Sequence, residues 1–472
     1  MPADLDPDLD RGLRPRHLTM LALGGVIGAG LFVGTGQGLA VAGPAVLVSY
    51  LLAALLALAV MRMLGELAAA IPASGAFSVY ADRALGRWAG FTSGWLYWWI
   101  TAVAIAVEAL AAAGILHGWL PAVPRWAAAL AVLAVFTALN LASVRSFGEA
   151  EFWFASLKVA AVVAFIALGV AAVCGLVPGR TSPGLTHLTQ HGGFAPHGPT
   201  GIVAGLLVVV FAFGGMEVIA MAAAESADPG PAVARAVRGA IWRIALFYVG
   251  SVAVLVTLLP WTVARPGQSP YVAALDQLGI PGAGRVTEAV VLVALLSALN
   301  ANLYGTSRML FSLARRGDAP AVARGVCRRG VPRGAVLASA AVAVCSVVAE
   351  AARPGHVLPF LTQAMGGAML FMWLTVGASH LRLRSMLERD DPAALVIRTR
   401  GYPWVTLATI AGTAGVIVLM AADPGARPQI LWSAGLTAAL AAIGGVRQAR
   451  GHRPQAAASG SSADTAPVRA MR

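Results

Sequence analysis

Three ionisable side chains interrupt long apolar stretches of this 472-residue sequence: Glu108, Lys158 and Glu217. Burying a charge in such a stretch costs free energy, so ionisable residues there usually bind a ligand, pair with one another or carry protons. The acids Glu108 and Glu217 therefore indicate a site that holds an ammonium group or a proton. Lys158 lies near the start of its stretch, and its ammonium group could either carry a proton or extend to a nearby aqueous surface.

Two of the apolar stretches are also rich in glycine. Five glycines lie between positions 24 and 34, and Gly214 and Gly215 lie shortly before Glu217. A glycine in a helix interior costs roughly 1 kcal/mol relative to alanine. The two segments therefore predict interrupted helices, with close helix packing through small residues as the alternative.

Interrupted helices free backbone groups that a ligand can satisfy. N–H groups at the start of a helical segment would bind a carboxylate, and carbonyl groups at the second break would accept hydrogen bonds from an ammonium group. The paired breaks thus predict a binding site for a zwitterion near the middle of the membrane. The candidate substrate-binding residues are Ile27, Gly28, Ala29, Gly30, Glu108, Phe213, Gly214, Gly215 and Glu217, and the candidates for proton coupling are Lys158 and Glu217.

The elements that carry these residues are long apolar runs. The chain is 58% hydrophobic and only 12% charged, which is more apolar surface than a soluble core can bury. A membrane-spanning helix needs about 20 apolar residues, and the sequence predicts an all-α integral membrane protein with about twelve such helices. Their predicted ranges are 18–41, 43–64, 91–118, 126–144, 152–176, 200–223, 242–263, 286–308, 334–352, 356–379, 403–421 and 428–446.

The basic residues predict the orientation of these helices. With a cytoplasmic N-terminus, 27 of the 34 basic residues lie in cytoplasmic segments and six on the opposite side, as the positive-inside rule requires. We expect a multi-pass protein of the bacterial inner membrane with both termini in the cytoplasm. Its expected parts are a cytoplasmic segment 1–17, a ten-helix transport core 18–379, helices 11 and 12 at 403–446, and a disordered tail 451–472.

Several classes of function are excluded. Lys158 is the only lysine and lacks the Gly-Lys-Ser/Thr context of an ATP-binding loop, and Val33 replaces the third glycine of a dinucleotide fingerprint. His187 and His191 have no third ligand nearby, so no metal site is indicated. No nucleophile–base pair lies at membrane depth, and the arginines lie in short loops rather than in a nucleic-acid-binding patch. We expect neither an enzyme nor a cofactor.

Several motifs resemble the amino acid permeases of the amino acid–polyamine–organocation superfamily, over nearly the whole chain. The stretch Gly28-Ala29-Gly30-Leu31-Phe32 resembles helix 1 of the bacterial 4-aminobutyrate (GABA) permease subfamily. The other similar stretches are Tyr80-Ala81-Asp82-Arg83, Trp95-Leu96-Tyr97-Trp98-Trp99, Ala222-Ala223-Ala224-Glu225-Ser226, Ser307-Arg308-Met309-Leu310 and Ala314-Arg315-Arg316-Gly317-Asp318-Ala319-Pro320. One departure is Gly215-Met216, where that subfamily has alanine before the acid.

The resemblance implies the leucine-transporter fold, with two inverted five-helix repeats, broken helices 1 and 6, and peripheral helices 11 and 12. It also implies that Lys158 takes the place of a sodium ion bound between helices 1 and 8 in sodium-coupled relatives. We therefore expect a proton-coupled symporter that imports a small neutral amino acid, with GABA as the best single candidate. The alternatives are an exchanger without net proton coupling and a membrane amino acid sensor that does not transport. The expected partners are the amino acid, protons and the lipid bilayer.

Overall fold

The computed structural model describes residues 27–73, 75–142, 145–178, 182–215, 217, 220, 229–264, 269–279, 282–327 and 330–451. Four sequence predictions lie outside these residues. They concern the cytoplasmic segment 1–17, the first part of helix 1 up to residue 26, most of helix 6 after residue 215, and the tail beyond residue 451.

Twelve long helices run through the described part of the chain, and they correspond one to one with the predicted helices. The first, α1, begins as a π-helical turn at Gly30–Gly34 and continues as Thr35–Ala42. The others are α2 (Val46–Ala70), α3 (Arg87–Trp119), α4 (Arg125–Ala142), α5 (Arg145–Val173), α6 (Gly198–Ala212), α7 (Pro229–Leu258), α8 (Ala283–Arg315), α9 (Arg333–Ala352), α10 (Val357–Asp390), α11 (Trp404–Ala422) and α12 (Arg427–Gly451).

Most of these helices are long and apolar enough to cross a membrane. The described residues contain nine candidate spans, with α1 and α2 joined in one of them, and α6 and part of α7 form shorter apolar helices. Large apolar side chains such as Leu55, Trp153 and Val418 are exposed on the outside of the bundle. Apolar side chains on the outside suit a lipid environment. The backbone suits it as well, because a helix satisfies its backbone polar groups internally. The predicted all-α membrane fold is confirmed.

Several helices extend beyond their predicted ends. The α7 helix begins at Pro229 rather than at residue 242, α8 ends at Arg315 rather than at 308, and α10 ends at Asp390 rather than at 379. The prediction followed apolar runs, which report the thickness of the hydrocarbon layer. The helices continue through polar residues beyond it. Similarly, α12 reaches Gly451, where the sequence predicted the start of the tail.

Two short helices between the spanning helices were not predicted, because their sequences are not continuously apolar. Ala76–Leu85 lies between α2 and α3 and packs against α3 and α10. Pro270–Gln277 lies between α7 and α8 and packs against α8 and the π-helical turn of α1. Each short helix therefore packs against elements that carry residues of the central site.

The centre of the bundle is formed by α3 and α8, which make the most extensive contact between described helices. Nearly every residue of α8 from Val291 to Ala314 is buried. By contrast, only 22% of the α11 span and 17% of the α12 span are buried. The last two helices are therefore peripheral, and the site lies among the helices packed around α3 and α8.

Candidate functional site

The chain is not helical immediately before α1. Ile27 and Gly28 lie in bends, and the π-helical turn begins at Gly30. The Phe32 N–H donates a hydrogen bond to the Gly28 carbonyl at 3.1 Å. The first N–H groups of a helix have no partner within the helix and carry the positive end of its dipole. The described part of α1 thus begins where the sequence predicted an interruption, while Gly24 and Gly25 lie outside the described residues.

The second break follows α6, which ends at Ala212. Phe213, Gly214 and Gly215 form a turn, and Gly215 has a φ of 98°. Only glycine adopts this left-handed conformation without strain. The Gly215 N–H donates to Oε2 of Glu217 at 2.9 Å, so the acid stabilises the turn that ends the helix. This interruption agrees with the prediction.

The two breaks lie against each other. A Cβ atom built on Gly30 would lie 2.4 Å from the Cα atom of Ala212. One built on Gly28 would lie 2.7 Å from the Cβ atom of Ala298 on α8 and 3.1 Å from Oε1 of Glu108. Both glycines therefore allow a backbone approach that no other residue permits, and they bring the start of α1 to the end of α6 and to the first buried acid.

Glu108 lies on α3 and is only 3% exposed. Asn302 on α8 donates its side-chain amide to both carboxylate oxygens, at 3.1 Å each. The pair joins the two central helices beside the break in α1. Sequence reasoning identified the acid and missed the asparagine. The missed signal was a polar Asn300-Ala301-Asn302 segment in an otherwise apolar stretch.

Glu217 is 2% exposed and lies directly beyond the α6 turn. Its Oε1 atom is 3.5 Å from Nε1 of Trp373 on α10, which donates to it. The carboxylate therefore connects the α6 break to α10, a helix from which the sequence predicted no site residue.

These elements enclose a small central cavity of about 20 Å³, space for about one water molecule. Six of the predicted residues line it, and they come from α1, α3 and the α6 turn: Gly28, Ala29, Gly30, Glu108, Gly214 and Gly215. The lining residues that the sequence did not predict are Ile100, Thr101, Ala104, Ala212, Asn302, Met365 and Met369.

Three predicted substrate-binding residues lie beside the cavity rather than in its lining: Glu217, described above, and Ile27 and Phe213, which belong to the core. Ile27 is 1% exposed and belongs to the main apolar cluster. Phe213 packs its ring against Tyr50 and Tyr248, with ring centroids 6.1 and 4.9 Å away. Both residues fix the shape of the breaks through packing.

Lys158 lies on α5 and is fully buried, with an exposed fraction of 0%. Its helix packs against α7 and α8. An ammonium group that reached the membrane surface would be exposed, so the snorkelling alternative is wrong. The helix 1 carbonyls that the sequence analysis paired with Lys158 lie before residue 27, outside the described residues.

Comparison with known sequences supports the resemblance that the motifs indicated. A model of the amino acid permease family matches residues 17–444. The chain is 43% identical to the gamma-aminobutyric acid permease of Bacillus subtilis, with 91% of this chain and 92% of that protein covered. It is 45% identical to a probable GABA permease of Pseudomonas aeruginosa, covering 93% and 92%. It is also 44% identical to an aromatic amino acid transport protein of Corynebacterium glutamicum, covering 89% and 92%.

Solved structures with a similar fold include two mutant forms of a manganese transporter from Eremococcus coleocola. Each aligns with a TM-score of 0.57 at 17% sequence identity and covers 92% of this chain and 94% of that one. At that identity the likeness concerns the fold alone. The family match and the relatives extend over about nine-tenths of the sequence, so the chain belongs to the amino acid permease family and is a multi-pass membrane transporter rather than an enzyme.

Proposed function

We propose that this permease is a proton-coupled symporter that imports a small neutral amino acid, with GABA as the best single candidate. One observation carries the proposal: the helix start at Gly30, the α6 break and the buried Glu108 lie around one cavity. An amino acid presents a carboxylate and an ammonium group at once, and this cavity offers a partner for each.

The carboxylate would bind at the start of α1. Gly28 and Gly30 carry no side chain there, so a ligand can approach backbone N–H groups at the positive end of the helix. The ammonium group would bind towards Glu108 and the carbonyl groups of the Gly214–Gly215 turn. Asn302 holds both oxygens of Glu108 in place and thereby orients the acid.

The size of the cavity favours a small substrate. The relatives include both GABA permeases and an aromatic amino acid transport protein at nearly equal identity, so similarity alone does not separate these substrates. Ile100, Met365 and Met369 line this cavity of about 20 Å³, so side chains must move before any amino acid can bind. Methionine is flexible enough to yield to a short chain, whereas an aromatic ring would require a larger rearrangement.

The proton would be carried by Lys158, with Glu217 as a second candidate. Lys158 is fully buried, and a buried lysine can exist in either the charged or the uncharged form. Lys158 would change its charge during transport. In the protonated state it would bind helix 1 carbonyls, and loss of the proton would release them.

Orientation and location follow from the charge distribution. From the excess of basic residues on one side, we propose that both termini lie in the cytoplasm and that the protein lies in the bacterial inner membrane. Import would then carry the amino acid and the proton together down the proton gradient. Amino acid exchange without net proton movement is the main alternative, and a non-transporting sensor is a weaker one.

Uptake by the purified protein in proteoliposomes tests this proposal. A panel of labelled amino acids should include GABA, small neutral amino acids and aromatic amino acids, each with and without an acidic exterior. We expect an imposed pH gradient to accumulate GABA or another small neutral amino acid above its external concentration. Accumulation that prefers aromatic amino acids would refute the substrate proposal, and uptake that ignores the pH gradient would favour exchange.

A further inference from the structure

A second group of buried ionisable side chains lies beyond the central cavity, where α2 and α10 meet the segment that connects α10 to α11. Glu66 on α2 and His380 on α10 are fully buried, and Arg384 on α10 is 5% exposed. The sequence gives no apparent reason to expect this cluster, because its basic members lie beyond the predicted end of helix 10. Charged side chains are rarely buried to this extent unless they are paired.

Glu66 is the centre of the cluster. Its Oε1 atom accepts a hydrogen bond from Nη1 of Arg384, and its Oε2 atom accepts one from the Thr399 N–H at 2.5 Å. Both donors stabilise the carboxylate in its ionised form. Glu66 is therefore a fixed negative charge rather than the group that takes up a proton.

His380 is the member of the cluster whose charge can change. Its Nδ1 atom is 3.0 Å from Oγ1 of Thr406, and its Nε2 atom is 3.5 Å from Oε2 of Glu66. Nε2 is buried and has no hydrogen-bond partner among the described residues. Protonation gives both ring nitrogens a hydrogen, so that Nε2 could donate to Glu66 after a small shift. Histidine is also the side chain that ordinarily changes its charge between about pH 5 and 8.

The two acids of the cluster share one arginine. Arg384 is shared between Glu66 and Glu388, with Nη2 of Arg384 2.8 Å from Oε1 of Glu388. Two carboxylates thus face one guanidinium group, and a protonated His380 would balance the second negative charge. The Glu388 side chain is 41% exposed, so solvent partly screens its charge. The negative charge that Arg384 does not balance therefore lies mainly on the buried Glu66.

The other polar groups of this end do not compete for the proton. The Tyr402 ring packs against His380 with centroids 5.7 Å apart, and burial together with the Glu388 charge raises the pKa of its phenol, which stays neutral. Arg62 on α2 donates to the Arg398 carbonyl at 3.5 Å. Two other acids of the described residues pair with arginines away from this cluster, Asp82 with Arg316 and Asp318 with Arg87.

One face of α10 connects this cluster to the central site. Met369 lines the cavity and Trp373 donates to Glu217. His380 follows Trp373 by two helical turns on the same face, about 10 Å along the axis. A shift of α10 that changes the Trp373–Glu217 contact would therefore also change the distance between His380 and Glu66.

We propose that His380, oriented by Glu66, is a second binding site for the transported proton, between the central cavity and the aqueous side of the exposed 391–403 segment. The proton adds to the imidazole nitrogen that carries no hydrogen and later leaves from an imidazole N–H to water. This inference rests on the proton coupling of the proposed function. The His380 site would bind the proton on the side of the membrane towards which the proton is released.

Uptake measurements on His380 variants test the inference. The wild type, His380→Gln, His380→Asn and the control His356→Gln are reconstituted in proteoliposomes. His356 is an exposed histidine at the start of the same helix. Each protein is assayed with labelled GABA, or with the amino acid that the wild type accumulates best, in two ways. One assay drives accumulation with a pH gradient, and the other measures exchange of labelled for unlabelled substrate at equal pH.

We expect both His380 variants to lose about tenfold or more of gradient-driven accumulation while exchange stays within about twofold of the wild type. His356→Gln should match the wild type in both assays. Gradient-driven accumulation at the wild-type level in the His380 variants would overturn the inference. Loss of exchange in both variants would also overturn it, because the cluster would then be structural. A wild type that ignores the pH gradient would instead refute proton coupling itself, and the inference with it.

Discussion

The Cα atom of Ala212, the last residue of α6, lies 2.4 Å from the position that a Cβ atom on Gly30 would occupy. Non-bonded carbon atoms pack at about 3.5–4.0 Å, so no side chain fits there. The two broken helices therefore touch through their backbones at the central cavity. Glycine at position 30 is required by this contact as well as by access of a ligand to the α1 backbone.

Replacing Gly30 by alanine should abolish most transport. The added methyl group must push α1 and α6 apart, since the nearest atom is backbone and cannot rotate away. We expect Gly30→Ala to lower uptake at least tenfold while the protein remains in the membrane, and Gly28→Val to act in the same way. The measurement is initial uptake normalised to the amount of protein in the proteoliposomes.

Gly435→Ala provides the matched control, because a Cβ atom on Gly435 of α12 meets no atom within 4 Å. It should transport like the wild type. Near-normal uptake by both Gly30→Ala and Gly28→Val would show that the breaks do not form the substrate site.

The Glu108–Asn302 pair should determine substrate affinity. Asn302→Ala removes the amide that donates to both oxygens of the buried carboxylate and orients it towards the cavity. We expect the KM for uptake to rise about tenfold, with a smaller change in the maximal rate. Asn300→Ala is the control, because Asn300 lies on the same helix but bonds to Asn140 of α4. Equal effects of the two substitutions would contradict a role of this pair in binding.

Glu217→Gln should lower uptake about tenfold, which corresponds to ~1.4 kcal/mol. The substitution removes the charge and weakens the bond that closes the Gly215 turn. Glu288→Gln is a matched control, since Glu288 also accepts from a tryptophan, Trp119, at 2.8 Å but lies away from the central cavity. If the loss were the same for an analogue without an ammonium group, Glu217 would have a structural or proton-carrying role instead of binding the substrate.

Lys158→Arg should bind substrate but fail to accumulate it. Arginine keeps the positive charge and does not deprotonate in proteins, so a transport cycle that requires release of the proton would stop. Lys158→Ala should retain at most an exchange activity that ignores an imposed pH difference. Binding can be measured by substrate-induced thermal stabilisation and accumulation by labelled uptake. Wild-type accumulation by the arginine variant would show that the proton is carried elsewhere.

The sequence predicted those parts of the site that break a rule of membrane helices. Clustered glycines and isolated acids are costly in a lipid-embedded helix, so Gly28, Gly30, Glu108 and Gly215 were recognisable from their types and positions. The number and order of the helices were predictable as well, because an apolar run of about 20 residues is typical of a membrane-spanning helix.

The sequence did not reveal contacts between distant helices that each look ordinary. Met365 and Met369 are typical apolar residues of a spanning helix, and nothing in α10 alone shows that they face a cavity. His380 lies beyond the last apolar residue of the predicted helix 10, and Glu66 lies just beyond that of helix 2. Only the folded structure places them together in a buried position. The hydropathy of the sequence does not predict side-chain partners that tertiary packing brings together.

Internal pH during substrate addition tests the central claim most directly. A pH-sensitive dye is enclosed in proteoliposomes that contain the wild-type protein, with equal pH on both sides, and GABA or the preferred amino acid of the panel is added outside. Proton-coupled import predicts acidification of the interior that depends on the protein and on the concentration of substrate, and that Lys158→Arg abolishes. Uptake of labelled substrate without any change of internal pH would contradict symport and identify the protein as an exchanger.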